Sequence, residues 1–230
     1  MSTTLASCWQ LHDTQAMLAW PGIDTARVDL LHPESGVQFS HEGHEWRVLG
    51  VWLDRTVERG TLTDAYVRVN DLVASYAPAP ERPHHVQLYW QRLDDLPTGV
   101  LAAIDLQVLT NTELLDSNPR RITQSDIPSG EMVQVTTVDG RETVPCLVLR
   151  PAEARYSYIE MIHPLDFLAA GVQPDETRVR LLQELFTGQL EKGVILRSRL
   201  RAALVERERD VELARELYQR LLDAPPPLNT

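Results

Sequence analysis

The chain has 230 residues, of which 43% are hydrophobic and 24% charged, and these proportions exclude a largely disordered protein. The formal net charge of −11 argues against nonspecific nucleic-acid binding, because neutralising phosphates requires a basic surface. No apolar run approaches the roughly 20 residues that span a bilayer, and the N-terminus lacks the basic and apolar regions of a secretory signal. We therefore expect a cytoplasmic protein with neither nucleic acid nor a membrane as its partner.

The first thirty residues are ambiguous, because residues 8–20 fit a short amphipathic helix and a strand equally well. From residue 35 to residue 163 the pattern is β-rich. One hairpin is predicted around the segment His41-Glu42-Gly43-His44 and another around Asn70-Asp71, since apolar residues alternate on both sides of a turn-prone connection.

Further strands are predicted within residues 84–93, 100–110 and 154–164, and a third hairpin is predicted to turn at Asp139-Gly140. Residues 111–131 read as a loop, because they contain two prolines and several Asn, Asp and Ser residues. About nine strands at a spacing of roughly 10 to 15 residues are typical of an antiparallel β-sandwich or a partly closed barrel.

The C-terminal part, residues 175–223, changes character and is predicted as helix, strand and helix, followed by an extended tail at 224–230. The first helix would run through residues 175–188 and end at Gly188. The second would begin with Asp210 as its N-cap. Because no Gly/Ser/Pro-rich linker divides the chain, residues 1–230 are expected to form a single α+β domain, mainly β, with two C-terminal helices.

The segment between the two predicted helices carries Arg197, Arg199 and Arg201 at alternate positions. Both the helical and the strand period fit residues 193–205. Gly193, followed by two β-branched residues, favours a strand over 194–202, which would place the three guanidinium groups on one face. A helix would spread them apart.

Two strand-borne acids are the natural counterparts of these arginines. Asp105 shares a polar strand face with Ala103 and Gln107, and Glu160 lies among apolar residues of a later strand. Burial of an acid is costly unless it is paired. We therefore expect Asp105 and Glu160 either to form internal ion pairs with Arg197, Arg199 and Arg201 or to line a ligand-binding groove with them, where two acids are also suited to acid–base work on a sugar.

Other chemistries lack a complete pattern. His41 and His44 are weak metal candidates, because they are three residues apart in a hairpin turn instead of four apart on a helix. Neither Cys8 nor Cys146 has a basic neighbour that would lower its pKa, and no phosphate-binding loop or Gly-x-Ser-x-Gly motif occurs. The sequence therefore assigns no catalytic residue, metal or cofactor, and it leaves open whether the protein is an enzyme.

Two functions remain compatible with the sequence. One is an interaction or structural protein with a protein partner that the sequence does not identify. The other is a protein that binds a carbohydrate or anionic small molecule, or processes a sugar, in a groove formed by the arginines and carboxylates. Five aromatic residues within the predicted sheet suit stacking on sugar rings, although they suit core packing as well.

Overall fold

Alternation of apolar and polar residues governs most of the chain, and strands form where it occurs. The structure, a computed structural model, describes residues 7–23, 25–53, 62–80, 83–135, 146–152, 154–186 and 188–224. The elements within these residues are β1 (Trp9–His12), β2 (Gln15–Leu18), β3 (Thr25–Asp29), β4 (Val37–His41), β5 (His44–Trp52), β6 (Leu62–Arg68), β7 (Asp71–Tyr76), β8 (His84–Arg92), β9 (Val100–Thr112), β10 (Arg121–Pro128), β11 (Gly130–Gln134), β12 (Cys146–Pro151), β13 (Tyr156–Ile162), β14 (Ala169–Pro174), β15 (Arg178–Leu185), β16 (Leu196–Glu206) and one helix, α1 (Asp210–Asp223), with short 3₁₀ turns at Pro33–Ser35 and Arg207–Arg209.

The strands form two antiparallel eight-stranded sheets. Sheet I has the order β1-β2-β3-β4-β5-β10-β15-β14, and sheet II has the order β11-β12-β13-β16-β9-β8-β7-β6. Buried side chains from both sheets form one hydrophobic cluster between them. The molecule is therefore a β-sandwich in which each sheet has an inner face toward the core and an outer face.

Helix α1 covers part of the outer face of sheet II. Its buried residues, among them Leu213, Leu217 and Tyr218, form a second cluster with side chains of β12, β13 and β16. At the start of the helix, Arg150 donates two hydrogen bonds to Asp210, of 2.7 and 3.0 Å. The helix is thus fixed both by apolar packing and by an ion pair to β12.

The expected fold class is confirmed for the sandwich, but the prediction of two C-terminal helices is wrong. Residues 178–185 form strand β15 and pair on both sides, with β10 and with β14. The reason is visible in the burial pattern, because Val179, Leu181 and Leu185 alternate toward the core. Over so short a window a helical spacing of apolar residues coexists with a strand spacing, and the two neighbouring strands decide between them.

The arginine segment is a strand, as predicted, with shifted boundaries. Strand β16 spans Leu196–Glu206, so it begins two residues later than residue 194 and continues four residues beyond residue 202. It pairs with β9 and β13 in the middle of sheet II. Pairing on both sides carries the strand through the helix-forming residues after Ala202, because tertiary context overrides local propensity.

The two N-terminal hairpins are confirmed. His41 pairs with His44 across the β4–β5 turn, and Arg68 pairs with Asp71 across the β6–β7 turn. The predicted turn at Asp139-Gly140 lies outside the described residues, although β11 and β12 on either side of it do pair. The ambiguous residues 8–20 contain the β1–β2 hairpin.

Asp210 differs from its predicted role as an N-cap. The N-cap residue is Arg209, and Asp210 is the first residue of the helix. Its carboxylate accepts hydrogen bonds from Arg150 and Ser157 instead. Of the described residues, only those of α1 form an α-helix, and its 14 residues do not reach the length needed to cross a membrane.

Candidate functional site

The outer face of sheet II extends from the part on which α1 packs, at β12, β13, β16 and the start of β9, across the rest of β9 to β8, β7 and β6. Residues that pair directly across antiparallel strands project to the same face, so the strand registers define three rows of side chains that cross five strands. From β6 to β16 the rows are Asp64-Ser75-Gln87-Leu109-Arg197, Tyr66-Val73-Tyr89-Gln107-Arg199 and Arg68-Asp71-Gln91-Asp105-Arg201. We call these fifteen residues the open face.

The centre of the open face combines an apolar strip with side-chain amides. Val73, Tyr89 and Leu109 form a small buried cluster. Beside it, the Tyr89 hydroxyl donates to Gln87 Oε1 at 3.2 Å, and Gln87 Nε2 donates to Ser75 Oγ at 3.1 Å. A depression of about 280 Å³ continues along the same strands and is lined by Ser75, His85, Val86, Gln87, Asn111 and Glu113. The centre of the open face therefore combines a buried apolar strip with directed hydrogen bonds, and the depression beside it is lined mainly by polar residues.

Gln107 lies at the middle of the open face, between Tyr89 and Arg199 in the same row. It is 7% exposed, and its Oε1 accepts no hydrogen bond from the described residues. A buried polar atom without a partner costs on the order of 1–3 kcal/mol, so such a position usually has a ligand or ordered water as its partner.

The arginines serve different purposes along the open face. Arg201 donates to both carboxylate oxygens of Asp105, at 2.7 and 2.9 Å, and to the carbonyl oxygen of Leu217 in α1, at 3.0 Å. It is 5% exposed. Arg201 and Asp105 thus form the internal ion pair that was one of the two expectations, and this pair also holds the helix.

Arg199 and Arg197 are less buried than Arg201. Arg199 donates to the carbonyl oxygen of Ala224 at 3.2 Å, just beyond α1, and its backbone N–H donates to Asp166 Oδ2 at 2.9 Å. Burial raises the pKa of Asp166, with Arg199 and Arg197 opposing the rise. Burial and Arg199 together lower the pKa of His163. This edge of the open face therefore combines positive charge with two titratable groups.

Glu160 does not lie on the same face of sheet II as the other predicted site residues. It lies on the inner face of sheet II, between the sheets, and is 1% exposed. The hydroxyls of Ser125 and Tyr158 donate to its Oε2 at 2.5 and 2.6 Å, and Gln183 Nε2 donates to Oε1 at 3.4 Å. Burial raises the pKa of Glu160, while these hydrogen bonds act in the opposite direction.

A groove formed by all five predicted residues is therefore absent from the described part of the chain. Asp105 and Glu160 face opposite sides of sheet II, so they do not form a carboxylate pair around one sugar, which requires both groups to face the same cleft. The alternation within β13 already places Tyr158 and Glu160 together. Which side of the sheet faced the core was not apparent from the sequence.

The weaker candidates do not assemble into a reactive site among the described residues. His41 and His44 pair across their hairpin, and the His41 ring lies 5.1 Å from the ring of Tyr156. No group of three His, Cys, Asp or Glu residues within the described ranges is arranged to hold a metal. Burial raises the pKa of Cys146 to about 12, so its thiol stays protonated.

Sequence reasoning missed Gln87 and Gln91 of the open face, although it had placed Gln107 beside Asp105 and had counted Tyr66 and Tyr89 among the aromatic residues suited to stacking. Gln87, Tyr89 and Gln91 alternate with residues of the inner face in β8, as Asp105 and Gln107 do in β9. The sequence shows the alternation within each strand, but it does not show the strand order that brings these side chains next to one another. His163 and Asp166 follow β13 and reach Arg199 only through tertiary packing.

No family model matches the chain, and no curated protein resembles it in sequence. Solved structures do resemble it. A candidate mutarotase from Salmonella typhimurium has a TM-score of 0.53 at 10% identity, covering 86% of this chain and 93% of its own. A candidate aldose 1-epimerase from Escherichia coli K12 has a TM-score of 0.51 at 8% identity, covering 86% and 98%.

A heparinase III also resembles the chain, with a TM-score of 0.55 at 8% identity. The match covers 89% of this chain but only 37% of the heparinase. At such identities the likeness shows the fold alone. The chain has a β-sandwich fold that also occurs in proteins named for their action on carbohydrates.

Proposed function

We propose that the open face binds a carbohydrate. A sugar ring has apolar C–H surfaces and hydroxyl groups that both donate and accept hydrogen bonds, so its binding sites combine an aromatic surface with amides and charged groups. The open face provides this combination, with Tyr66, which is 40% exposed, as aromatic surface and Gln87 and Gln107 as amides. The shared fold is consistent with the proposal.

The observation that carries the proposal is the unpartnered, enclosed Oε1 of Gln107, which a ligand satisfies either directly, by displacing a neighbouring side chain, or through one ordered water. Gln107 lies between the ring of Tyr89 on one strand and Arg199 on another, where a sugar hydroxyl or that water would be its donor. Arg197 and Arg199 lie on the same side, and a guanidinium group binds a hydroxyl as well as an acidic substituent. The proposal concerns binding and does not include a catalytic step.

The test is a thermal-shift and calorimetric panel containing glucose, galactose, glucose 6-phosphate and glucuronate. We expect at least one of them to raise the melting temperature. We expect Gln107→Met, which keeps the side-chain length but removes the amide, to weaken its binding by about tenfold, the equivalent of one lost hydrogen bond of about 1.4 kcal/mol. The control is Gln134→Met on the exposed part of β11, which should bind as the wild type does.

The same panel separates this proposal from the second function, an interaction or structural protein. That function is favoured by large apolar side chains around one end of sheet II, where β9 and β13 end and β16 begins. Leu115 is 84% exposed, Leu165 86% and Ile195 54%. If no sugar in the panel binds, or if Gln107→Met binds as tightly as the wild type, the carbohydrate proposal for the open face is wrong and the interaction function is left.

A further inference from the structure

The outer face of sheet I carries a row of arginines that the sandwich itself does not use. The registers place Arg27, Gln38, Arg47, Asp126, Arg180 and Gln173 in one row across β3, β4, β5, β10, β15 and β14. Strands are about 4.8 Å apart, so the three arginines span about 19 Å.

Two of these arginines have no partner within the described residues. Arg27 and Arg47 are exposed, and neither forms a hydrogen bond or an ion pair with the residues that the structure describes. Arg180 is 47% exposed and lies 3.5 Å from the carboxylate of Asp126. Elsewhere on the surface, arginines such as Arg155 and Arg209 form close ion pairs with glutamates. The row therefore holds positive charge that internal acids leave largely uncompensated.

A depression of about 390 Å³ contains the first part of the row. It is lined by Met17, Arg27, Gln38, Phe39, Ser40, Glu45, Trp46 and Arg47. Glu45 is the single acid in this lining, against two arginines. The depression is thus a polar trough with excess positive charge.

A second depression, of about 240 Å³, lies at the other end of the row and has an aromatic wall. It is lined by Trp52, Ile122, Gln124, Gln173, Arg180 and Leu182. In the next row, Gly171 on β14 lies opposite Leu182. Gly171 therefore adds no side chain beside Leu182 on this face of the sheet.

Trp52 differs from the other tryptophans of the chain. Trp9, Trp20, Trp46 and Trp90 are buried at 7% exposure or less, whereas Trp52 is partly exposed. Its Nε1 donates to Gln124 Oε1 at 3.0 Å, so the ring is held in place on the sheet and its polar atom is satisfied. A fixed, partly exposed indole beside amides and an arginine is suited to stacking against a sugar ring.

We propose that the outer face of sheet I binds an acidic oligosaccharide across its strands. One sugar ring stacks on Trp52, and carboxylate or sulfate groups bind Arg27, Arg47 and Arg180. Arginine suits both groups, because its planar fork donates two parallel hydrogen bonds to either. This site is independent of the open face, since the two outer faces point away from each other on opposite sides of the sandwich.

The test uses four probes: hexagalacturonate for a carboxylated chain, a dextran sulfate oligomer for a sulfated one, cellohexaose as a neutral chain and inorganic phosphate as a small anion. We expect one acidic oligosaccharide to bind with an affinity that falls as salt is added, and the two neutral or small probes to bind at least tenfold more weakly. The bound oligosaccharide should also protect Trp52 from acrylamide quenching, the other four tryptophans being buried.

The variants are Trp52→Leu and Arg47→Met. Each is expected to weaken the acidic oligosaccharide at least tenfold in calorimetry, whereas Arg215→Met, an exposed arginine on α1, should leave the affinity unchanged. Circular dichroism checks that the variants fold. If Trp52→Leu does not fold, Arg47→Met serves as the test, because position 47 is exposed. Gln107→Met, on the open face, should not alter this binding.

The inference is overturned if neither acidic oligosaccharide binds, if cellohexaose binds as tightly, or if Arg47→Met and a folded Trp52→Leu both retain full affinity. Its failure is distinguishable from failure of the carbohydrate proposal for the open face, because that proposal depends on Gln107 and on single sugars. An acidic oligosaccharide that is weakened by Gln107→Met and not by Arg47→Met would place all binding on sheet II.

Discussion

At the scale of single residues, Glu160 is the most unusual group in the core. It is a carboxylic acid enclosed between two sheets, with hydrogen bonds from both of them: Ser125 and Gln183 belong to sheet I, and Tyr158 belongs to sheet II. The backbone N–H of Leu49 in turn donates to Ser125 Oγ at 2.9 Å. Glu160 thus connects the sheets through polar contacts in an otherwise apolar interior.

The pKa of Glu160 predicts how stability changes with pH. Because burial raises this pKa in the folded state, the contribution of Glu160 to stability is complete below its unfolded pKa of about 4.3 and is lost as pH rises through the folded pKa. Glu160→Gln stays neutral, and after a half-turn of the Gln183 amide, whose Nε2 faces residue 160 in the wild type, the new amide can donate to Gln183 Oε1, which has no partner among the described residues.

We therefore expect the free energy of unfolding of the wild type to fall relative to that of Glu160→Gln as pH rises above about 4.3, by at most about 1.4 kcal/mol per pH unit for one proton. Urea unfolding of both proteins between pH 4 and pH 8 measures this difference. A difference that does not change with pH would show that Glu160 has the same pKa in the folded and unfolded states.

At the scale of elements, α1 and the residue that follows it are attached to sheet II by four polar contacts in addition to the apolar packing of the helix. Arg150 and Ser157 bind Asp210 at its start, Arg201 binds the carbonyl oxygen of Leu217, and Arg199 binds that of Ala224. Strand β16, which carries the three arginines, is therefore part of the surface on which α1 lies. Two of these arginines, Arg199 and Arg201, thus have a structural role.

Removing the first of these contacts should destabilise the whole chain. Burial alone would raise the pKa of Asp210, but the hydrogen bonds from Arg150 and Ser157 outweigh it and lower the pKa. Asp210→Asn leaves Arg150 without its main counter-charge, and we expect it to cost about 2 kcal/mol in urea unfolding at pH 7. The loss should shrink as pH falls below about 4, where the wild-type carboxylate becomes protonated.

The control for that change is Asp223→Asn, at the exposed C-terminal end of the same helix, which should alter stability by less than about 0.5 kcal/mol. If Asp210→Asn is as stable as this control, the ion pair to β12 does not anchor α1, and apolar packing alone holds the helix.

At the scale of the whole molecule, both sheets contribute to one hydrophobic cluster. Trp46 comes from sheet I and Trp90 from sheet II, and both are almost completely buried within it. If one sheet unfolded, the apolar side chains of the other sheet would be exposed to water. The absence of a linker led us to expect a single domain. This expectation stays a prediction, and it predicts that the whole chain unfolds cooperatively.

We expect one unfolding transition, with the same midpoint in tryptophan fluorescence and in far-UV circular dichroism, because small domains with a common core unfold in an all-or-none manner. Urea titrations followed by both signals provide the measurement. Two separated midpoints would show that the sheets unfold independently and that the chain behaves as two cooperative units.

The sequence by itself determined the β-rich character and the turns at Gly43 and Asn70, and it favoured a strand for the segment that carries Arg197, Arg199 and Arg201. These features depend on local alternation and turn chemistry, which a short window of residues contains. Even the helix at 210–223 was recognisable from its apolar stripe alone.

Only the tertiary structure decided which side of each strand faces the core and which strands lie side by side. Residues 178–185 form a strand because β10 and β14 pair with them on both sides. Glu160 and Asp105 lie on opposite faces of sheet II, and sheet I covers the face that carries Glu160. The rows that define the open face, and the row of arginines on sheet I, join strands distant in sequence. Pairing between such strands is set by the packing of the complete sandwich, since alternation within one strand leaves both its neighbours and its buried side unspecified.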